Sequence, residues 1–242
     1  MQIEGCTALV TGANRGLGKA YAAALLDAGA AKVYAGARDP ATVDDPRLVP
    51  VKLDVTSSDD VAAAAARCND VNLLINNAGI MLMSPMLADG ADVAMRREME
   101  VNVFGTQAML RAFAPVLKAN GGGTVVNMLS VVSWFVNGMN PTYCASKHAA
   151  LAVSEAARIE LKQQGTQVVA VYAGFIDTDM AAGVDQPKVT AQQVAEATLK
   201  GVRENTDHVH ADRRAEEIWK LTRSNPGLLA AQMQSMYLAR KR

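Results

Sequence analysis

The sequence has 242 residues, of which 50% are hydrophobic and 20% are charged, so we expect a substantial folded core and exclude global disorder. Lysine plus arginine number 24, as do aspartate plus glutamate. This balance argues against nucleic acid or an anionic membrane as the main partner, because both require a positive face. The basic end "ARKR" is interpreted as a short solvated tail.

The three cysteines, Cys6, Cys68 and Cys144, are scattered without metal-like spacing, so we expect reduced thiols and no metal site. The chain reaches the apolar run "CTALVTG" almost at once, which leaves no room for a signal peptide. Apolar runs are all shorter than a membrane span. Together these features predict a soluble cytoplasmic protein that has no membrane partner.

Apolar runs of strand length alternate with longer helical patterns along the chain. We predict strands at 6–10, 32–37, 49–53, 71–75, 123–129 and 166–172, and helices at 17–28, 91–119 and 142–164. Buried strands joined by helices predict an α/β fold, with a doubly wound parallel sheet covered by helices on both faces. We expect a single domain over residues 1–242, because no linker or repeat interrupts the pattern.

Two segments depart from this alternation. The stretch 38–50, "RDPATVDDPRLVP", is short and broken by proline, so it predicts a loop with a single turn. After about residue 190 the pattern is helical, with a possible short strand at "HVHA" and an apolar-rich end that packs on this domain or on a neighbouring subunit.

A glycine-rich turn, "TGANRGLG" at residues 11–18, joins the first strand to the first helix. Gly12, Gly16 and Gly18 have the spacing GxxxGxG, a variant of the dinucleotide fingerprint. Such a turn lets the backbone approach a pyrophosphate and directs the first N–H groups of the helix towards it. Glycines also serve as ordinary turn residues, but the position between a strand and a helix favours the dinucleotide site.

Polar residues follow two further strands. Asp54 and Val55 end the third strand, where they are suitably placed to meet an adenine. Asn76 and Asn77 open "NNAG" after the fourth strand, where the ligand crevice of a doubly wound sheet lies. Asparagines there often only cap loops, and we favour a dual role in bracing the loops and bordering the cofactor.

The end of the second strand bears on the choice between NADP(H) and NAD(H). An acidic residue there usually holds the ribose hydroxyls of NAD. This chain has Arg38 near that position and Arg15 inside the glycine turn, a pair that suits a 2′-phosphate. Two solvated surface arginines are the alternative, and Asp39 would restore an acidic partner if the register shifts by one residue. We predict NADP(H), with NAD(H) as the less favoured cofactor.

The helix "NPTYCASKHAALAVSEAARIELKQQ" has Tyr143 and Lys147 four residues apart, on one face and one turn apart. Such a pair is either an ordinary surface contact or a phenol held beside a cation so that it can exchange a proton. A free phenol has a pKa of about 10, and a nearby cation lowers it.

The glycine turn, "NNAG", Asn102, Ser130 and "YCASK" together resemble the short-chain dehydrogenases/reductases in order and spacing, from Thr11 to about Met180. The resemblance implies a Rossmann-type, seven-stranded, three-layer α/β/α fold and a nicotinamide cofactor. The cofactor half then lies at roughly 1–120 and the catalytic and substrate half at roughly 121–242. The segment "GARD" resembles the NADPH-preferring carbonyl reductases of this family.

The resemblance also assigns roles to individual residues. The implied catalytic set is Asn102, Ser130, Tyr143 and Lys147. Tyr143 is the proton-transfer group, tuned by Lys147, which also holds the ribose. Ser130 holds the substrate oxygen, with Ser133 as a rival, and Asn102 holds a water that connects Lys147 to solvent. The implied cofactor-binding residues are Gly12, Asn14, Arg15, Gly16, Leu17, Gly18, Arg38, Asp54, Val55, Asn77, Ala78, Gly79, Tyr143, Lys147, Gly174, Ile176 and Thr178.

Two positions depart from the family pattern. Ala173 precedes Gly174 where the family usually has proline, which leaves the stiffness of that loop open, although Thr178 matches the family's nicotinamide-contacting threonine. The segment 180–190 is short, so we expect an open active site. Crevice position suggests an apolar substrate wall of Met81, Leu82, Trp134, Phe135, Asn137, Met139, Phe175 and Met180.

The resulting prediction is an oxidoreductase that transfers a hydride between NADP(H) and a carbonyl or alcohol substrate, a ketone or aldehyde in the direction of reduction. The first alternative is a non-catalytic NADP(H)-binding regulatory protein on the same fold, and the second is a cofactor-free lyase or dehalogenase. The resemblance further implies a homodimer or homotetramer packed through the helices at 91–119 and 142–164.

Overall fold

The structure is a computed structural model that describes residues 1–239. Its centre is a seven-stranded, all-parallel sheet in the order β3-β2-β1-β4-β5-β6-β7. The strands are β1 (Thr7–Thr11), β2 (Lys32–Ala37), β3 (Val49–Lys52), β4 (Leu73–Asn76), β5 (Gly123–Met128), β6 (Thr166–Tyr172) and β7 (His208–His210). The predicted α/β class and parallel sheet are therefore confirmed, and β7 lies at the possible strand "HVHA".

Helices connect the strands and cover both faces of the sheet. They are α1 (Gly16–Asp27), α2 (Ser58–Arg67), α3 (Ala91–Met99), α4 (Thr106–Ala119), α5 (Pro141–Leu161), α6 (Ala191–Arg203), α7 (Arg213–Ser224) and α8 (Pro226–Ala239). The prediction omitted α2, whose start is marked by Ser57, because the Ser57 side chain accepts a hydrogen bond from the backbone N–H of Asp60.

The core has two main parts, one on each face of the sheet. On one face α1 and α6 pack on the strands through Tyr21, Leu25, Val194 and Leu199, all at most 2% exposed. On the other face α2, α4 and α5 bury a second cluster that includes Phe113. The apolar strands are buried on both sides, as parallel strands covered by helices require.

The predicted helical stretch at 91–119 is present, but it is not α-helical throughout. Residues Glu100–Gly105 form a π-helical segment between α3 and α4. Single π-helical turns inside helices are frequently found at functional sites. Here the wider turn contains Asn102, which is 2% exposed, and brings Gly105 against Val55, where an added Cβ would lie 2.7 Å from a methyl carbon.

The loop at 38–50 contains one short 3₁₀ turn at Pro40–Thr42, as predicted. The end of the chain forms β7 and the two helices α7 and α8. Among the residues the structure describes, no helix is both long and apolar enough to cross a membrane. Residues 240–242, which include most of the predicted basic tail and the end of the predicted domain, lie outside the described part.

Candidate active site

The glycine turn is held against the fourth strand by a compact set of hydrogen bonds. The Thr11 hydroxyl accepts from the backbone N–H groups of Asn77 and Ala78, both at 2.9 Å. The Asn77 amide donates back to the carbonyl oxygens of Thr11, at 2.9 Å, and Gly12, at 3.4 Å. Asn77 therefore braces the two loops, as predicted, while Asn76 donates instead to buried Asn127 at 2.9 Å.

The glycines leave room that a side chain would fill. Gly12 has φ +66°, in the left-handed region, and an added Cβ would lie 3.3 Å from the Cα of Ala78. A Cβ on Gly18 would lie 2.0 Å from the carbonyl oxygen of Gly12. Helix α1 begins at Gly16 without a side-chain cap from the described residues. Its first N–H groups and the close backbone fit an anion such as a pyrophosphate.

The two predicted phosphate arginines lie on the surface beside this turn. Arg38 follows β2, is exposed, and makes no hydrogen bond or ion pair with another described residue. Arg15 precedes α1, and its guanidinium lies 3.4 Å from the carboxylate of Asp179 in an exposed pair. The Asp39 carboxylate accepts the N–H of Ala41 at 3.0 Å, so it caps the 3₁₀ turn.

The other predicted cofactor residues near the glycine turn form hydrogen bonds within the neighbouring loops or pack in the core. Asn14 donates to the Thr42 hydroxyl at 3.1 Å, and Leu17, in the first turn of α1, is buried in the core. The Asp54 carboxylate accepts from the N–H of Thr56 at 2.9 Å and from its hydroxyl at 2.7 Å. Val55 is 8% exposed. The side chain of Asp54 thus holds its own loop, as well as lying at the end of β3.

Asn102 connects the π-helical segment to the loop after β4. Its Oδ1 accepts the N–H of Ile80 at 2.8 Å, and its Nδ2 donates to the carbonyl oxygen of Ile80 and to the Ser146 hydroxyl, both at 2.9 Å. Gly79 lies against it, since an added Cβ would be 3.1 Å from Oδ1. Both amide hydrogens of Asn102 are therefore used within the protein, which leaves one lone pair of Oδ1 for a further contact.

Ser130 and Tyr143 face each other at the carboxyl edge of the sheet. Ser130 follows β5, and its hydroxyl accepts the N–H of Val132 at 3.4 Å. Burial is the main factor that raises the pKa of the Tyr143 phenol, and the charges of Cys144 and Glu98 raise it further. A hydrogen bond from Ser130 partly opposes these effects. The rival Ser133 is 1% exposed and its hydroxyl has no partner among the described residues.

Lys147 lies one turn further along α5. It is 6% exposed, and its Nζ donates to the carbonyl oxygen of Met128 at 2.9 Å while lying 5.7 Å from the centre of the Tyr143 ring. Burial lowers the pKa of Lys147 to about 8. The expected lowering of the Tyr143 pKa by Lys147 is not met in this structure, because burial disfavours the charged form of both groups.

The loop after β6 closes the third side of the crevice. The carbonyl oxygen of Ala173 accepts the N–H of Val131 at 3.1 Å, and the N–H of Gly174 donates to Asp212 at 2.8 Å. Ile176 pairs with Val189, and Thr178 lies beside Gly16, where an added Cβ would be 3.3 Å from its methyl group. Asp212 thus fixes the loop at the point where the family's proline is missing.

The predicted substrate wall is only partly assembled as expected. Trp134 packs on the ring of Tyr172, with centroids 4.1 Å apart, and so faces the protein interior. Phe175 lies under the guanidinium of Arg214, at 5.2 Å. The N–H of Leu82 donates to buried Glu98 at 2.7 Å. The other proposed wall residues are half-buried or exposed side chains of the same loops: Met81, Phe135, Asn137, Met139 and Met180.

The expectation of an open site overlooked the C-terminal helix. Helix α8 covers the loop between Ser130 and Tyr143, because a Cβ on Gly138 would lie 2.7 Å from the ring of Tyr237. A cavity of about 260 Å³ separates residues 134–136 of that loop from α7 and α8. Although the segment 180–190 is short, α8 covers part of the crevice that this segment leaves open.

Sequence reasoning did not assign a role to Thr11, Glu98, Asp212 or Arg214. Thr11 is the first residue of the glycine turn, and this position between strand and turn could have indicated its role in bracing the loops. Glu98 lies in the charged run "RREME", which resembles a solvated helix face although the side chain is 0% exposed. Asp212 and Arg214 follow β7 and had no local pattern that relates them to the loop after β6.

A parallel doubly wound sheet with a glycine turn after its first strand and a crevice at its carboxyl edge defines a Rossmann-type dinucleotide-binding protein. The family model for short chain dehydrogenase matches residues 6–189. The chain therefore belongs to the short-chain dehydrogenase family and is an oxidoreductase, which confirms the family resemblance and the predicted fold.

Relatives of known structure or name are similar over most of this chain. It is 31% identical over 195 residues to sorbitol dehydrogenase of Cereibacter sphaeroides, with 76% of each chain covered. It is 30% identical over 187 residues to galactitol 2-dehydrogenase of Agrobacterium fabrum, with 73% of each covered. A short chain dehydrogenase from Burkholderia cenocepacia J2315, solved in complex with NADP, has a TM-score of 0.93 and 44% identity, covering 96% of this chain and 99% of that one.

Proposed function

We propose that this protein reduces ketones or aldehydes with NADPH and, in the reverse direction, oxidises the corresponding alcohols with NADP⁺. The observation that carries the proposal is the convergence of Ser130, Tyr143 and Lys147 at one edge of the sheet, beside the braced glycine turn. The relatives named for sorbitol and galactitol dehydrogenation support exchange between an alcohol and a carbonyl group.

The choice of NADP(H) rests on the end of β2. Arg38 is exposed and makes no contact with an acidic group of the described residues, which leaves its fork of donors free for a phosphate. The competing carboxylate of Asp39 is occupied by the N–H of Ala41. The Burkholderia relative in complex with NADP supports the same choice. The glycine turn would hold the pyrophosphate, with Asp54, Val55 and the loop 77–79 bordering the adenine side.

The chemistry assigns a separate task to each catalytic residue. When bound, the nicotinamide exchanges the hydride with the carbonyl carbon of the substrate. In reduction, the Tyr143 phenol donates its proton to the carbonyl oxygen, and Ser130 donates a hydrogen bond to the same oxygen as negative charge develops there. A phenol is already protonated at neutral pH, and burial raises the pKa of Tyr143 further, so the site holds the protonated form that reduction requires.

Lys147 stabilises the phenolate that remains after this transfer. Its ammonium lies 5.7 Å from the ring centre, so a charge–charge attraction of about 3 kcal/mol follows at an effective dielectric constant of about 20. A lysine whose pKa is lowered to about 8 also exchanges its proton readily near neutral pH, and it can therefore return a proton to Tyr143. Asn102 positions the loop at Ile80 and is the proposed anchor of a water on this path.

Two alternative functions make different predictions. A non-catalytic NADP(H)-binding regulator on this fold has no need to retain both Tyr143 and Lys147 in the crevice. A cofactor-free lyase or dehalogenase has no need for the braced glycine turn. The decisive experiment is a screen of ketones and aldehydes that follows NADPH absorbance, with NADH in parallel. Oxidation of NADPH by no carbonyl compound despite tight NADPH binding favours the regulator, and turnover without cofactor favours the lyase.

We also propose a homodimer or homotetramer that packs through the helices at 91–119 and 142–164. Exposed apolar side chains support this, with Phe104 at 55% and Ile159 at 76% exposure. Sedimentation of the wild type and of Ile159→Glu tests the assembly. The three free, buried cysteines support a cytoplasmic location, where thiols stay reduced.

A further inference from the structure

We propose that Arg214 binds an anionic group of the substrate, so that the enzyme acts on oxo acids and hydroxy acids in preference to neutral ketones and alcohols. This inference rests on the proposed function, because it names the substrate class of the same site. It follows from the absence of an acidic partner among the described residues and from the position of the Arg214 stem over the loop after β6, the strand next to the one that Ser130 follows.

Three neighbouring strands place Arg214 at the site. Ser130 follows β5, Gly174 follows β6, and Arg214 lies shortly after β7, so all three lie at the carboxyl edge of the sheet. The N–H of Val131 donates to the carbonyl oxygen of Ala173 at 3.1 Å, which joins the first two loops. The stem of Arg214 then lies over the next residue, since a Cβ on Gly174 would be 3.1 Å from Cδ of Arg214.

The contact with Phe175 fixes the guanidinium in place. The guanidinium carbon lies 5.2 Å from the centre of that ring, an arrangement that holds the cation against an aromatic face. The N–H groups of Arg214 make no hydrogen bond with the described residues, so they remain available to a ligand. The arginine is half-buried, so its side chain has lost part of its freedom before any ligand arrives, which lowers the entropic cost of binding.

The acidic residues near Arg214 bind groups other than Arg214. The two Asp212 oxygens accept the N–H groups of Gly174 and Ala215, both at 2.8 Å. Glu217 pairs with Arg213 at 2.7 Å. No carboxylate of the described residues lies within ion-pair distance of Arg214. A guanidinium without a protein anion beside a substrate crevice is suited to bidentate recognition of a carboxylate.

The separation between Ser130 and Arg214 limits how far the carboxylate of the substrate can lie from its carbonyl group. The reacting oxygen is placed at Ser130, which follows β5. Arg214 lies over the loop that follows the adjacent strand, β6, and adjacent strands lie about 5 Å apart. A carboxylate two or three carbons from the carbonyl carbon spans that distance. The inferred class is therefore 3-oxo and 4-oxo acids and their hydroxy counterparts.

A purely structural role for Arg214, in which it only covers Phe175, makes a different prediction. In that case Arg214→Met, which keeps the apolar stem, affects acids and esters alike. Matched pairs of substrates separate the two roles: acetoacetate against its methyl ester, and levulinate against its methyl ester. Arg213→Met is the control, because Arg213 is the adjacent arginine but is 91% exposed in its side chain and paired with Glu217.

The experiment measures kcat/KM for both pairs with NADPH in the wild type and in Arg214→Met, Arg214→Lys and Arg213→Met. We expect the wild type to prefer the acids and Arg214→Met to lose about 10- to 100-fold with the acids only, the equivalent of a charged hydrogen bond. Lysine should restore part of the loss, mainly in KM. Equal preference for acid and ester in the wild type, or a preference that Arg214→Met leaves unchanged, overturns the proposal.

A second measurement does not depend on turnover. We expect succinate, compared with chloride at matched ionic strength, to raise the melting temperature of the wild type and of Arg213→Met but not of Arg214→Met. Reduction of neither acids nor esters contradicts the proposed function, and the succinate shift still decides whether Arg214 forms an anion site. A shift that is equal in all three proteins, or missing in all three, overturns the anion site.

Discussion

Lys147 lies beside the ring of Tyr143, with Nζ 5.7 Å from the ring centre, yet its hydrogen bond goes to the carbonyl oxygen of Met128 at 2.9 Å. This hydrogen bond to Met128 holds Nζ of Lys147 at the end of β5. The sheet therefore fixes the position of the ammonium group, although the side chain is long. Lys147 is buried and Tyr143 is half-buried, and removal from water disfavours the charged form of each. At neutral pH the phenol is therefore uncharged, whereas Lys147, with a pKa of about 8, is still mostly protonated.

The stability of the protein should depend on pH through Lys147. Burial lowers its pKa from an ordinary value of 10.5 to about 8, so between these values the unfolded chain binds more protons and the free energy of unfolding rises with pH. Lys147→Met removes this dependence. Its stability relative to the wild type should fall by up to about 3 kcal/mol between those two pH values, as measured by urea unfolding.

Lys200→Met is the control for that series, because Lys200 is an exposed lysine on α6 that pairs with Glu204 at 3.9 Å. It should show no comparable trend. A stability difference between wild type and Lys147→Met that is constant with pH would contradict a lowered pKa of Lys147.

Replacing Tyr143 with phenylalanine should remove the proton donor while leaving the fold and the cofactor site intact. We expect kcat with a ketone and NADPH to fall by about 10²- to 10⁴-fold, the usual contribution of a general acid, with little change in the Kd for NADPH by fluorescence titration. Tyr34→Phe removes a phenol that donates to Asp70 at 3.0 Å on a distant strand and should keep full activity. Equal activity of Tyr143→Phe and wild type would falsify the mechanism.

The sheet and α5 could be predicted because their signals are local. Apolar runs of strand length recur along the chain, and the spacing of Tyr143 and Lys147 lies within a single turn. The π-helical segment could not, because tertiary contacts decide it: Asn102 bonds to Ile80, 22 residues away, and Gly105 fits against Val55. Sequence patterns in "EMEVNVFG" are compatible with an ordinary α-helix.

The contacts around Gly174 and Gly138 could not be predicted from the sequence either. Asp212 bonds to Gly174 across 38 residues, and Tyr237 packs on Gly138 from the far end of the chain. Helix α8 has no distinct apolar face, so its sequence does not indicate which surface it covers. The predicted roles of Arg38 and Asp39 in cofactor choice depended on which of the two residues follows β2 in the cofactor register, which the sequence leaves open. In the structure the Asp39 carboxylate accepts the N–H of Ala41.

The hydroxyl of Thr11 should be important for stability, since two backbone N–H groups depend on it. Thr11 is 1% exposed and accepts from Asn77 and Ala78. Thr11→Val keeps the shape but leaves both donors without an acceptor, and we expect a loss of about 2 kcal/mol or more in the free energy of unfolding. Thr11→Ser keeps the hydroxyl and should lose much less. Equal unfolding midpoints for the valine and serine variants would show that these bonds contribute little.

The preference for NADPH should depend on Arg38. Arg38→Ala is expected to raise KM for NADPH by about 10- to 100-fold, because a charged contact to the 2′-phosphate is lost, while KM for NADH changes little. Arg47→Ala is a suitable control, as Arg47 lies in the same surface region but pairs with Asp45 at 2.7 Å. Undiminished use of NADPH by Arg38→Ala, or a wild-type preference for NADH, would overturn the cofactor assignment.

Glu98 should influence the pH dependence of the reaction from a buried position. One of its oxygens accepts the N–H of Leu82 at 2.7 Å, the other has no partner among the described residues, and its charge raises the pKa of Tyr143. Glu98→Gln removes the charge but keeps an acceptor for Leu82. We therefore expect the alkaline limb of the kcat profile for reduction to move to lower pH, because the phenol then loses its proton more readily.

Glu98→Met separates this electrostatic effect from the structural one. The methionine leaves the N–H of Leu82 without an acceptor, and we expect a loss of about 1–3 kcal/mol in the free energy of unfolding that the glutamine variant largely avoids. Glu100→Gln, two residues along and on the exposed side of the chain, should change neither quantity. If the glutamine and wild-type profiles coincide on the alkaline side, the charge of Glu98 does not act on Tyr143, and its role is confined to holding the loop at Leu82.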